Sequence, residues 1–415
     1  MDLFVVIALL VIVSAVFSYI NARFIKLPGT IGLVLLATIT SIVILVVDKV
    51  NPSVANYFGS LSKNINFSKV VLNILLGFLL FSSSFNLDGR KLKREMRPVF
   101  VLSTLGVILS TAIFGLLLFY VAPVFHIHMP LIYCLLFGAL ISPTDPVAVS
   151  AIIKNSKLPA HLETIISGES LFNDGIGLML FVGILEVARV GEEKIELAKV
   201  VMPLIKEIVG GILAGAVLGF IAHKLMHSVK DFQTIVLISL ALVMGLSVLA
   251  VLLNFSIPLS VVTAGLFAGS QSINQDEKER SHQALEKFWK LVDEILNTIL
   301  FVMIGLQLIN LPFVNNYWVT GSLSIITVLI ARWLSIMLPL TFLRRSLNVN
   351  YSNINIMTWA GLRGAISIAL ALSLPNTPYR HLILSGCYFI VIFSVIVQGL
   401  TLNAMINRAS KNTEE

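Results

Sequence analysis

Thirteen apolar stretches of helical length run through this chain, separated by short connections that carry most of its charge. A helix crossing a bilayer needs about 20 mostly apolar residues, and its backbone polar groups must be satisfied within the segment. Such a series therefore folds as a bundle of membrane-spanning helices. The stretches are 3–20, 28–47, 67–85, 98–122, 131–153, 165–188, 200–223, 233–253, 257–273, 284–310, 317–340, 353–374 and 379–404. Only 12% of the 415 residues are charged and 57% are hydrophobic, whereas soluble domains carry about 25% charged residues. A membrane barrel would show short alternating strands, and none is legible. The expectation is an all-α membrane protein with one transmembrane domain over 1–415 and a short cytoplasmic tail, 405–415.

Cys134 and Cys387 lie inside apolar runs and read as small hydrophobes, not as a disulfide or metal framework. After Met1 and Asp2 the chain turns apolar at once, without the basic region of a cleaved signal peptide, so the first run is expected to remain as a helix. The formal charge of +7 is scattered among connections and calls for no nucleic-acid partner. Topology accounts for it. If odd-numbered spans exit into the cytoplasm, 19 Lys and Arg fall on that side, including Arg90, Lys91, Lys93, Arg94 and Arg97, against seven on the other. The excess of cations on cytoplasmic connections puts the N-terminus outside and the C-terminus inside. A bacterial inner membrane is the expected location.

Two spans carry matching interruptions. Span 5 contains Ser142-Pro143-Thr144-Asp145-Pro146, and span 12 contains Gly361-Leu362-Arg363-Gly364. Proline removes a backbone donor and glycine weakens a helix, so both are candidate unwound points. Paired interruptions in two halves point to a midplane site in transporters built from inverted repeats. On that reading spans 1–6 (about 1–188) and 8–13 (about 233–404) are the repeats, linked by span 7 (about 200–223).

Ionisable groups inside spans cost at least ~2.5–3.5 kcal/mol each and mark ion pathways or counter-ions. Here they are Asp145, Glu169, Asp174, Lys206, Glu207, Arg332 and Arg363. In span 6, Ser170 and Asp174 share one helical face, while Glu169 and Asn173 share another. The first face offers hard oxygen donors suited to Na⁺. The second offers what a buried Arg fork seeks, so Glu169 is expected to pair with Arg363 as first choice and Arg332 as second. Asp174 is then the carboxylate without a cationic partner, able to hold a proton or a metal ion but not both. Such exclusion is sufficient for antiport. Asp145, beside the break, neutralises half-helix N-termini, and carbonyls freed there, Thr144 among them, complete the ion's shell. Each assignment has a plainer structural reading in which the group merely satisfies a neighbour. That reading is preferred for the Glu169 pair, for adjacent Lys206 and Glu207, for His126-x-His128, and for Asp293-Glu294 as a solvated face over a cation funnel.

The segments Ser142-Pro143-Thr144-Asp145-Pro146-Val147, Glu169-Ser170-Leu171-Phe172-Asn173-Asp174-Gly175 and Gly361-Leu362-Arg363-Gly364-Ala365-Ile366-Ser367 resemble the signatures of the NhaP-type sodium/proton antiporters. This cation:proton antiporter group includes the animal sodium/hydrogen exchangers. The resemblance implies an NhaA-like inverted-repeat fold with 13 transmembrane helices and two crossed, partly unwound ones. It also implies a homodimer, an elevator-like motion of spans 4–6 and 11–13 against a scaffold, and no cofactor beyond the transported Na⁺ and H⁺. By the same resemblance Asp174 binds the ion with Ser170 and Thr144 as further ligands, and Asn173 marks the electroneutral branch. One departure stands out: where relatives often carry an acid in span 3, this chain reads Leu80-Phe81-Ser82-Ser83-Ser84. Ser82 is the candidate to replace that acid through water.

Other classes weigh less. A K⁺/H⁺ antiporter of the same fold is the nearest alternative. A cation channel or uniporter fits a single carboxylate between broken helices less well than alternating access does. The chain has no His-Glu-x-x-His and no Gly-x-Gly-Asp arrangement of an intramembrane protease, so no enzyme activity is expected. A receptor-like or structural membrane protein would not require buried titratable groups.

Overall fold

In a computed structural model, residues 3–48, 67–153, 156, 158–190, 197–269, 278–310, 317–347 and 353–414 are described. The regular elements among them are all helical. Among the described residues, ten helical stretches are long and apolar enough to cross a membrane, and two shorter apolar helices, Leu131–Ile141 and Ile257–Ala268, accompany them. The architecture is thus an all-helical bundle of about ten to thirteen apolar helices. Two of the long stretches, Ile7–Ile25 and Met202–Ser228, are only 17% buried, whereas Arg380–Arg408 is 67% buried. The first two present their apolar faces outwards, as lipid-facing helices do.

The expected interruptions are real. Span 131–153 divides into Leu131–Ile141 and Pro146–Ile153, and span 353–374 into Ile354–Trp359 and Ala365–Ser373. Between them lies Ala160–Val190, a single 31-residue helix where 165–188 was expected. Three other boundaries differ from expectation. The stretch expected at 284–310 starts as a helix at Lys278, so its charged, amphipathic beginning belongs to the same element. The last helix, Gly399–Glu414, runs past the expected span end at 404, since neither Pro nor Gly follows Gly399 to stop it. The expected span 257–273 ends as a helix at Ala268, with Gly269 as its cap, and 270–273 lie outside the described residues.

Close packing without a soluble-type hydrophobic drive relies on small residues at helix contacts. Gly211, Gly215 and Gly219, four apart on Leu197–Ser228, face Ser256, Ser260 and Ala264 of the short helix beside it. A Cβ at any of the three would press on the neighbouring helix. Ile257–Ala268 in turn packs on Leu76–Phe85, the end of span 3, through Gly265 and Gly269. The central core, which includes Phe114 and Phe137 at an edge-on 4.9 Å, surrounds both broken helices.

Candidate ion-binding site

An unwound stretch in a membrane must find partners for every freed backbone group. Pro143 and Pro146 have no N–H to satisfy, which leaves three donors in the first break. Ser142 N reaches Gly138 O at 3.0 Å, Asp145 N reaches Leu362 O at 2.7 Å, and Thr144 N reaches Asn173 Oδ1 at 3.3 Å. In the second break Gly361 N donates to Thr358 O (3.2 Å), Leu362 N to Ala360 O (2.8 Å) and Arg363 N to Ser394 Oγ (2.8 Å). The Asp145–Leu362 bond joins the two breaks directly.

Charge completes the crossing. Leu131–Ile141 ends with its carbonyls directed into the membrane, where the helix dipole is negative. Arg363 caps that end, its Nη1 donating to Ser142 O and, at 3.0 Å, to Pro143 O. Pro146–Ile153 begins there, and Asp145 Oδ1 accepts from Ala148 N at 3.2 Å, one turn into it. The other side of that carboxylate lies against Gly364, the residue preceding Ala365–Ser373. Asp145 therefore faces two positive helix ends, as its position beside the break predicts.

Arg363 is consequently not the partner of Glu169, which corrects the expected first choice. Arg332, the second choice, holds Glu169 in a two-pronged pair, Nη1–Oε1 at 2.5 Å and Nη2–Oε2 at 2.8 Å. Both side chains are buried, at 4% and 0% exposure. The reason is local: Arg363 sits inside the unwound segment, where bare carbonyls are its nearest acceptors, whereas Arg332 projects from the helix Tyr317–Leu347 as a planar fork. Gly361 makes room for it, since a Cβ there would lie 3.0 Å from Arg332 Nε. Asn173 also departs from the expected grouping with Glu169. Its amide donates to Thr144 Oγ1 at 2.7 Å and accepts from Thr144 N, so it fastens the break and not an arginine.

Ser170 completes this cluster, its Oγ 2.8 Å from Thr144 Oγ1. One turn further along the helix stands Asp174, 2% exposed, whose Oδ2 has no hydrogen-bond partner among the described residues. Asp174 is buried inside the protein and makes no ion pair with an arginine among the described residues. A cavity opens beside it, walled by Thr144, Asp145 and Ser367 of the crossing and by Leu79, Ser83 and Asn297 of span 3 and the helix Lys278–Leu306. The structure thus gathers Thr144, Asp145, Ser170, Asn173 and Asp174 at the crossing, while Glu169 and Arg332 form a separate pair behind it.

Span 3 needs a further correction. Ser82 points away from the cavity and donates to Trp289 O at 2.8 Å, and Ser83 lines the wall in its place. Asn297 was missed by the sequence reading, although a polar amide among Leu296, Ile299 and Leu300 was a visible signal. His126 adopts a left-handed backbone at φ 60° as a helix cap, and the described residues contain no group of three or more metal-ligating His, Cys, Asp or Glu.

A membrane-embedded helical bundle with a carboxylate buried beside two crossed helix breaks has the layout of an ion-coupled transporter. The transmembrane sodium/hydrogen exchanger family profile matches residues 11–408, and the chain belongs to that family. Among its relatives, the Na⁺/H⁺ antiporter NhaP of Pseudomonas aeruginosa is 37% identical over 407 residues, covering 97% of this chain and 96% of the relative. The Na⁺/H⁺ antiporter NhaH of Halobacillus aidingensis is 30% identical, with 98% of each chain covered. The fold is similar to that of the sodium proton antiporter MjNhaP1 from Methanocaldococcus jannaschii, with a TM-score of 0.75 at 19% identity over 99% of both chains.

Proposed function

We propose that this protein exchanges Na⁺ for H⁺ across its membrane, with Asp174 as the group that holds either cargo. The observation carrying this reading is the state of two neighbouring acids on one helix. Glu169 is neutralised by Arg332, whereas Asp174 is equally buried, has one oxygen without a donor and borders a cavity. An isolated carboxylate removed from water is costly when charged, so it retains a proton or a metal ion. Na⁺ at Oδ2 and a proton on the same carboxylate exclude one another, and alternating exposure of that single site to the two sides then couples the two fluxes. Ser170 and Thr144, both oxygen donors within the cluster, supply the further ligands, with Thr144 O as a backbone candidate.

The same reading extends to the assembly. The ten long helices, the helix Ile257–Ala268 and the two broken helices supply thirteen crossings, in the NhaA-like arrangement of two inverted six-helix repeats around a linker at about 200–223. The N-terminus lies outside and the C-terminus in the cytoplasm of a bacterial inner membrane, and the protein works as a homodimer whose core slides against a scaffold. Asn173 carries no charge and is engaged with Thr144, which supports an exchange of one cation for one proton.

The test uses purified protein in liposomes with a lumenal pH dye. Wild type is expected to move protons on addition of Na⁺, and Asp174→Asn to lose at least a hundredfold of that rate while remaining monodisperse in detergent. Normal exchange by the variant rules out Asp174 as the carrier. Proton movement with K⁺ and none with Na⁺ selects the K⁺/H⁺ reading.

A further inference from the structure

The wall facing Asp174 holds a residue without an assigned role. Asn297 lies on the helix Lys278–Leu306, 4% exposed, and lines the cavity opposite the crossing. Its Nδ2 donates to Asp293 O at 2.8 Å. That bond fixes which end of the amide is which: the nitrogen is turned back along its own helix, and Oδ1 is the end left to the cavity. Oδ1 receives no hydrogen bond from the described residues. Apart from Ser83, the cavity wall formed by this helix and span 3 is otherwise apolar, with Val71, Leu76, Leu79, Leu80 and Leu300.

We propose that Asn297 is a specificity-determining residue of the transport site, its amide oxygen serving as a neutral ligand to the cation beside Asp174. This rests on Asp174 being the carrier. A small hard cation leaving water needs several oxygen donors to replace its shell. Thr144, Ser170 and Asn173 spend part of their bonding capacity on one another, and Asp145 engages Ala148 N. A fixed carbonyl oxygen across the cavity adds to the Ser83 hydroxyl the one amide donor on that side. It also explains how the wall works with serines in span 3: a neutral dipole binds a monovalent ion without adding a second charge, so the bound state stays at one carboxylate and one cation.

The test measures Na⁺-driven proton exchange at a fixed pH in liposomes for Asn297→Leu and Asn297→Ser, alongside wild type and Asp174→Asn. Leucine keeps the volume but removes the oxygen, and serine keeps a smaller oxygen if leucine compromises folding. The expected result is a rise of at least threefold in the KM for Na⁺ in every variant that folds, larger for leucine than for serine, with a different ratio of KM for Na⁺ to KM for Li⁺. A lost helix contact would lower the amount of active protein and leave both KM values in place. A KM within threefold of wild type in the variants, whatever their maximal rate, overturns the proposal. Failure of Asp174→Asn to abolish exchange overturns the underlying reading instead, so the two failures are distinguishable.

Discussion

Arg332 and Arg363 are two arginines of identical chemistry in one membrane, and their different duties follow from the backbone each meets. Arg332 meets a carboxylate from a regular helix and forms a two-pronged pair, whereas Arg363 meets bare carbonyls at a helix end. Removing one partner of a buried pair leaves the other charged and dry, at about 3–5 kcal/mol. Arg332→Ala is therefore expected to lower the thermal stability of the detergent-solubilised protein sharply, and the double variant Arg332→Leu with Glu169→Leu to recover most of the loss. Equal stability of Arg332→Ala and wild type contradicts the pairing. The sequence made it legible that Glu169 needed a buried arginine. It did not say which, because the choice depends on where the freed carbonyls of Ser142 and Pro143 end up, and only the folded crossing brings them to Arg363. The same limit hid the true bonding of Asn173: helical periodicity placed it beside Glu169, but its partner Thr144 belongs to another element.

The breaks themselves were readable as elements, since Pro143 and Pro146 in one and Gly361 and Gly364 in the other carry backbone consequences that no tertiary context removes. Gly364 shows why glycine stands there: a Cβ at that position would overlap the Asp145 carboxylate. Gly364→Val is expected to push Asp145 off the helix end, reduce exchange at least tenfold and destabilise by roughly 1–3 kcal/mol, as overpacking does. Transport assays and thermal unfolding on the same preparation check it, and unaltered values in both refute the contact. Helix ends governed by capping were less legible. Asp231 caps Phe232–Leu253 by accepting from Thr234 N at 2.8 Å and Thr234 Oγ1 at 2.6 Å. Those bonds hold its carboxyl below the usual range, so the cap persists as pH falls and is released only below ordinary aspartate titration.

At the scale of the whole molecule, the membrane setting and an all-helical bundle of about ten to thirteen apolar helices were legible from hydropathy. The meeting of Ser83 and Asn297 with Asp174 was not, because three separate helices must pack before those residues share a cavity. Charge balance is also a property of the whole. If one Na⁺ leaves for each proton, no net charge crosses, and exchange rates in liposomes clamped at 0 and at −100 mV are expected to agree within experimental scatter. One uncompensated charge would couple to such a potential by about 2.3 kcal/mol. A clear dependence of the rate on voltage therefore rejects the one-for-one count.

The backbone bond from Asp145 to Leu362 has a mechanical meaning. It stitches the two interruptions into one knot, reinforced by Arg363 on the carbonyls of the first break. A knot tied in this way does not unravel to release its cargo. If the proposed stroke carries the two breaks as one body, its slip plane is the boundary facing Leu79, Ser83 and Asn297, where the lining is mostly apolar.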